Sequence, residues 1–382
     1  MTEQLKLKLN DSKATRWGAL VIVAFTMMAA YYVNDVVAPL KTMLETDLAW
    51  SSTDFGFFTG GYSFLNVFFL MLIWGGLILD RFGIRFTGKL ATILMVGGTA
   101  LEYYAMTGLA GADATLFGIN EIFGYKTGVF VAFAGYSIFG VGAEVAGITV
   151  SKIIAKWFKG KELATAMGVQ VALARIGSQA GYAVAIPLAR AFGISTPVLL
   201  GLVLLLGGMI AFFIFAVMDK KLDKQMEAAA IAAGTEDEEE KFSFKDVKNI
   251  LVNPGFWLIA LLCVLFYSCV FPFQKFASEL MIIKYGINEN VAGTFAGLPA
   301  LGALILTPVF GGFIDKRGKS ASIMLLGSAM LICVHFIYAI PDINYWLVAI
   351  VLMIILGIAF SLVPSAMWPA VAKIFPVSQL DR

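Results

Sequence analysis

Along the chain, runs of about 20 apolar residues, the length that spans a bilayer, alternate with short polar pieces. They fall near 17–40, 54–79, 87–108, 128–150, 163–189, 196–218, 255–281, 289–314, 320–340 and 345–366. Inside hydrocarbon every backbone N–H and C=O must bond within its own segment, so such runs are read as helices. The pattern predicts an all-α polytopic membrane protein with ten spans. The first run is too long for a signal peptide and has no small-residue cleavage site, so it is expected to remain as a span. One long polar stretch, 219–249, interrupts the series. It separates a six-helix bundle in 1–218 from a four-helix bundle in 250–382. The acidic run from Glu236 to Glu240 inside this linker is read as solvated chain.

Composition supports the class. Of 382 residues 59% are hydrophobic and 14% charged, with a mean hydropathy of +0.84, against a charged share of about 25% in soluble domains. Cys263, Cys269 and Cys333 all lie in apolar runs, and their spacing suits neither a disulfide framework nor a metal site. No glycine loop followed by Lys-Ser/Thr is present, and no nucleophile is paired with a base. We therefore expect neither an enzyme nor a cofactor. No basic and aromatic pattern suggests nucleic acid. The net charge of +2 says little, but its distribution is informative: with the N-terminus cytoplasmic, 22 of the 28 Lys and Arg fall on the cytoplasmic side. That asymmetry fixes the expected orientation.

Two charges near the middle of their spans need a reason. Arg175 lies mid-run in GVQVALARIGSQAGYA, 168–183, and Glu144 lies in FVAFAGYSIFGVGAEVAGITV, 130–150. A charge at the bilayer centre costs roughly 2.5–3.5 kcal/mol even on the lenient insertion scale, so it is expected to face a partner or water. The two spans are joined by a short loop and run antiparallel, which allows the charges to lie close. Gln179 and Tyr182 follow Arg175 at i+4 and i+7, making a polar stripe suited to a cavity wall. Two readings remain: a structural ion pair, or two charges that grip opposite ends of a zwitterion, with Arg175 on a carboxylate and Glu144 on an ammonium. Tyr31 and Tyr32 share a face with Asp35, which either meets substrate or a proton or is simply solvated. Tyr267, Phe271, Gln274 and Lys275, with Pro272 as a kink, form an outer gate or a packing face. Trp368 and Ser365 line the path or pack, and His335 is expected to be structural.

A repeat links the halves. GLILDRFGIR, 76–85, and GGFIDKRGK, 311–319, both fit G-x-x-x-D-[RK]-x-G, after the second and the eighth span. The motif residues are Gly76, Asp80, Arg81 and Gly83, and Gly311, Asp315, Lys316 and Gly318. The glycines permit close helix approach and a tight turn. This resembles the loop signature of the major facilitator superfamily. The resemblance implies twelve helices in parallel repeats of six and loops that brace one gate conformation; a plain topology-setting turn is the other reading. AKWFKGKE, 155–162, corresponds to AKIFPVSQ, 372–379, after which the chain ends. Helices eleven and twelve are thus expected to be missing, leaving a truncated C-terminal bundle.

A narrower resemblance lies in GAEVAGITVSKIIAKWFKGKELATAMGVQVALARIGS, 142–178, in 246–273 and in SAMWP, 365–369. These are similar to the lysosomal dipeptide uniporter branch of that superfamily. The resemblance implies a carrier of dipeptides or similar zwitterions working by alternating access, with Glu144 and Arg175 on the two termini. From the residues themselves, Tyr31, Asp35, Gln179, Tyr182, Tyr267 and Trp368 are expected along the path. The N-terminal tail carries no acidic dileucine signal, and the single N-x-[ST] match, Asn10 to Ser12, lies on the expected cytoplasmic side. We therefore expect a prokaryotic relative in a cytoplasmic membrane, with the bilayer and a small-molecule substrate as partners and no obligate protein partner. The alternatives are an organic or inorganic anion porter, and a transport-inactive scaffold or sensor.

Overall fold

The structure, a computed structural model, describes residues 8–111, 114–233 and 252–374. The run from Glu236 to Glu240 and residues 375–382 lie outside the described residues, as does the side chain of Asp315. The chain divides into two compact units, Met1–Gly234 and Thr235–Arg382.

In the first unit α1 (Lys13–Val36) is followed by a short α2 (Lys41–Asp47), then α3 (Ser52–Phe68) and α4 (Met71–Thr107). A hairpin of β1 (Glu121–Ile122) and β2 (Tyr125–Lys126) precedes α5 (Thr127–Trp157), α6 (Leu163–Phe192) and α7 (Thr196–Ala233). Local sequence sets the starts. Ser12 accepts from the Thr15 N–H to open α1, and Ser51 with Asp54 forms a reciprocal capping box at α3, satisfying donors that a helix end leaves bare. The second unit holds α8 (Pro254–Ile283), α9 (Glu289–Ala296), α10 (Leu298–Arg317), α11 (Ser320–Ala339) and α12 (Trp346–Ile374). Asn253 caps α8, with Pro254 at its first position, where a missing N–H costs nothing.

All ten expected segments are helical, with two differences in detail. Among the described residues seven helices are long and apolar enough to cross a membrane, and the bent pair α3 and α4 makes an eighth. The pair contains both the second and the third expected span. The second breaks at Leu70, which adopts left-handed φ 51° and ψ 38°, and the axes there bend by 58°. The expected loop at 80–86 shrinks to one non-helical residue, Gly83, with φ 75° and ψ 172°. Its counterpart Gly318 ends α10 at φ 67° and ψ −138°. Such backbone is open essentially to glycine alone. The remaining expected span, α6, falls short of the apolar set because Arg175 and its polar neighbours interrupt it. The second difference is α7, which continues to Ala233 rather than ending at Met218 as expected.

That extension has a purpose in packing. Asp219, fully buried on α7, accepts from Lys156 Nζ at 2.7 Å and from the Trp157 indole N–H at 2.9 Å. Asp223 pairs with Arg85 at 2.8 Å and also with Lys156. The C-terminal end of α5 is thereby tied by charge to α4 and α7. Within the bilayer small residues do the joining, as is usual where lipid offers helices no hydrophobic reason to associate. A Cβ on Gly98 of α4 would sit 2.4 Å from the Phe139 backbone nitrogen of α5. In consequence α5 is the interior helix, with 72% of its apolar window buried, whereas α8 in the second unit has 11% and turns Leu258, Leu261, Val264 and Leu265 outward.

Candidate substrate site

Tyr31, Asp35, Tyr62, Glu144 and Arg175 lie on α1, α3, α5 and α6 of the first unit. Glycines bring the backbones together. A Cβ on Gly177 of α6 would lie 2.1 Å from the Met28 carbonyl oxygen of α1, and one on Gly140 of α5 would lie 2.3 Å from the Tyr62 carbonyl oxygen of α3. No side chain fits at either place. The first contact sets Arg175 beside α1, where its guanidinium carbon stands 5.6 Å from the centre of the Tyr31 ring, in cation–π range. The second sets Tyr62 beside Glu144, one turn beyond Gly140, and the Tyr62 hydroxyl donates to Glu144 Oε1 at 2.8 Å.

Tyr31 lies within electrostatic reach of Arg175, Glu144 and Asp35 at once, so an acid, a base and a second acid share one region of the unit. Around Asp35 a further set forms. The Tyr136 hydroxyl donates to the Asn34 carbonyl oxygen at 2.7 Å, and Asn34 Nδ2 donates to Asp35 Oδ1 at 2.9 Å. Arg175, Glu144, Tyr31, Asp35 and Gln179 are each partly buried. Chemically this is a dipolar cradle. It presents a cation and a carboxylate from different helices and holds no nucleophile activated by a base. Among the described residues no group of three His, Cys, Asp or Glu is placed to hold a metal.

The expected site residues thus divide. Tyr31, Asp35, Glu144 and Arg175 come together, with Gln179 one turn beyond Arg175 on α6. Tyr182 does not stand on an open wall; it is 2% exposed, packed in the unit's interior within electrostatic reach of Asp35. Tyr32 leaves the Asp35 face and donates to the Pro197 carbonyl oxygen at 3.2 Å. In the second unit Tyr267 stacks on Phe271 with ring centres 5.1 Å apart and meets Phe360 edge-on at 6.5 Å. Trp368 is 54% exposed. The Ser365 hydroxyl bonds the Ser361 and Thr307 carbonyl oxygens, and His335 joins the Leu331 and Cys269 carbonyl oxygens.

In the loop motifs Asp80 pairs with Lys152 at 2.9 Å and Arg81 lies over the Phe82 ring. Lys316 is exposed. A Cβ on Gly76 or Gly311 would meet nothing within 4 Å among the described residues, so the close helix approach expected at these two glycines is not made. It occurs at Gly75, where a Cβ would come within 2.6 Å of Val145 Cγ2, beside Glu144. Tyr62, Asn34 and Tyr136 escaped the sequence reading, although Tyr62 follows the pair Gly60 and Gly61 inside an apolar run, a hint of a backbone brought close.

Comparison with known proteins agrees with this architecture. The lysosomal dipeptide transporter MFSD1 of Homo sapiens is 28% identical over 381 residues, covering 96% of this chain and 75% of its own length. The protein of the same description from Gallus gallus is 32% identical over 259 residues, covering 64% and 55%. Among solved structures, the D-xylose-proton symporter superposes with a TM-score of 0.62 at 16% identity, covering 96% of this chain and 85% of that one. A partially occluded inward-open form of the xylose transporter XylE from E. coli gives 0.61, also at 16% identity, covering 96% and 90%; both are likenesses of fold alone. The Major Facilitator Superfamily model matches residues 20–381. With ten helical segments in two units and nearly the whole length matched, the chain belongs to the Major Facilitator Superfamily, as a multi-pass membrane transporter rather than an enzyme.

Proposed function

We propose that the protein carries dipeptides or similar small zwitterions across the membrane by alternating access, with Arg175 holding the substrate carboxylate and Glu144 its ammonium. The observation that carries this reading is that Arg175, on α6, stands over the Tyr31 ring while Glu144, on α5, bonds Tyr62 and lies within electrostatic reach of the same Tyr31. A guanidinium binds a carboxylate through paired N–H donors, and a carboxylate is the matching acceptor for an ammonium. The names of the MFSD1 relatives, lysosomal dipeptide transporters, support the substrate class. The distribution of Lys and Arg supports a cytoplasmic N-terminus in a cell membrane. In this reading the loops at Gly76 to Arg85 and Gly311 to Lys319 brace one gate state.

The test is uptake of a labelled dipeptide into liposomes holding the whole chain. Arg175→Ala is expected to abolish uptake while membrane insertion stays intact, and wild-type rates in that variant would overturn the assignment. Competition by simple carboxylates as strong as that by dipeptides would mark an anion porter instead.

A further inference from the structure

We propose that Tyr62 and Asn66 complete, with Glu144, a subsite for a protonated primary amine, and that this pair on α3 strengthens the carrier's preference for substrates with a free amino end. The inference rests on the reading of Glu144 as the amine anchor and adds a second selective contact to it. A carboxylate alone already favours a charged amine over a neutral N-acetyl end; a further acceptor for another of the ammonium's three N–H donors sharpens that preference.

The Tyr62 hydroxyl occupies Glu144 Oε1 at 2.8 Å. This fixes the carboxylate plane and assigns the substrate contact to the other oxygen. One turn further along α3, Asn66 Nδ2 donates to the Tyr62 carbonyl oxygen at 3.1 Å. Asn66 Oδ1, sealed from solvent, accepts nothing among the described residues. Buried acceptors are nearly always matched; one standing idle a helical turn from Tyr62, the residue that holds the Glu144 carboxylate, is suited to a donor that arrives with the substrate. An ammonium supplies it, giving one N–H to Glu144 and another to Asn66.

The measurement is dipeptide uptake by the full chain in liposomes, competed by the unlabelled dipeptide or by its N-acetyl form. It compares wild type, Tyr62→Phe and Asn66→Leu. The phenylalanine keeps the ring contacts with Tyr136 and Phe139, at 5.7 and 6.1 Å, so folding is preserved. Wild type is expected to prefer the free amine. Each variant is expected to raise KM for the dipeptide roughly tenfold, the effect of one charge-assisted hydrogen bond. Maximal rate and competition by the N-acetyl form should stay as in wild type. An unchanged preference in both variants overturns the proposal and leaves the Glu144 assignment standing. An equal loss for blocked and free peptides overturns it too, because that is a structural effect. A wild type indifferent to acetylation removes the Glu144 assignment, and the subsite with it.

Discussion

At the scale of single residues, the site depends on places where a side chain is absent. Gly177 lets α6 close on the Met28 carbonyl oxygen, and that approach is what sets Arg175 against Tyr31. Gly177→Ala should therefore force the helices apart, costing about 1–3 kcal/mol, as overpacking usually does, and it should slow uptake. Gly147→Ala, whose Cβ would meet only Met27 Cε at 3.8 Å, is the control and should do neither. Thermal unfolding of the two purified variants decides. Arg175 and Glu144 were legible in the sequence because a charge in an apolar run is rare and expensive. Tyr62 and Asn66 were not, since neither disturbs an apolar run much and their importance lies in partners on the same turn or on a separate helix. Tyr31 and Tyr32 show the limit of helical spacing. Adjacent residues differ by about 100° around the axis, and the packing of α1 on both α6 and α7 sends one to the site and the other to Pro197.

At the scale of elements, charge joins what small residues cannot. Asp219 of α7 is buried against the end of α5 with Lys156 and Trp157 as partners. Removing one member of such a set leaves the others uncompensated, typically at about 3–5 kcal/mol. Asp219→Ala should lower unfolding stability by roughly that amount, while Asp223→Ala, whose side chain is 40% exposed, should cost much less. Equal losses would contradict this account. A second tie is pH-dependent. Arg16, hydrogen-bonded to Glu162, holds that carboxyl below its ordinary 4.5, and Lys161 with the Lys8 N–H holds Asp11 below its ordinary 3.8. Groups lowered by folding stabilise it above their unfolded values and lose that effect as pH falls through the folded ones. The protection of amides in residues 9–16, taken relative to the intrinsic exchange rate at each pH, should thus be constant at neutral pH and fall progressively below about pH 4.5. Protection that is unchanged down to about pH 3 would contradict the tie. Neither tie was legible beforehand: Lys156 and Lys161 registered only as topology charges, and Asp219 as the first residue of a linker, although residues 219–233 are helix.

At the scale of the whole molecule, architecture was written more plainly than the site. Twenty-residue apolar periodicity gave the helical segments, and two copies of one loop motif gave the family. Both rest on demands, backbone satisfaction in hydrocarbon and a positive-φ turn, that few residue patterns meet. Helix breaks were less visible, because Leu70 takes a left-handed conformation that its residue type does not announce. The central claim is that one guanidinium recognises one substrate carboxylate. Its most direct test is the affinity of the purified chain for a dipeptide and for the same dipeptide amidated at its C-terminus, in wild type and in Arg175→Gln. The account predicts that amidation weakens binding to wild type roughly tenfold or more and makes no difference to the variant. An amidation penalty of the same size in both would contradict it.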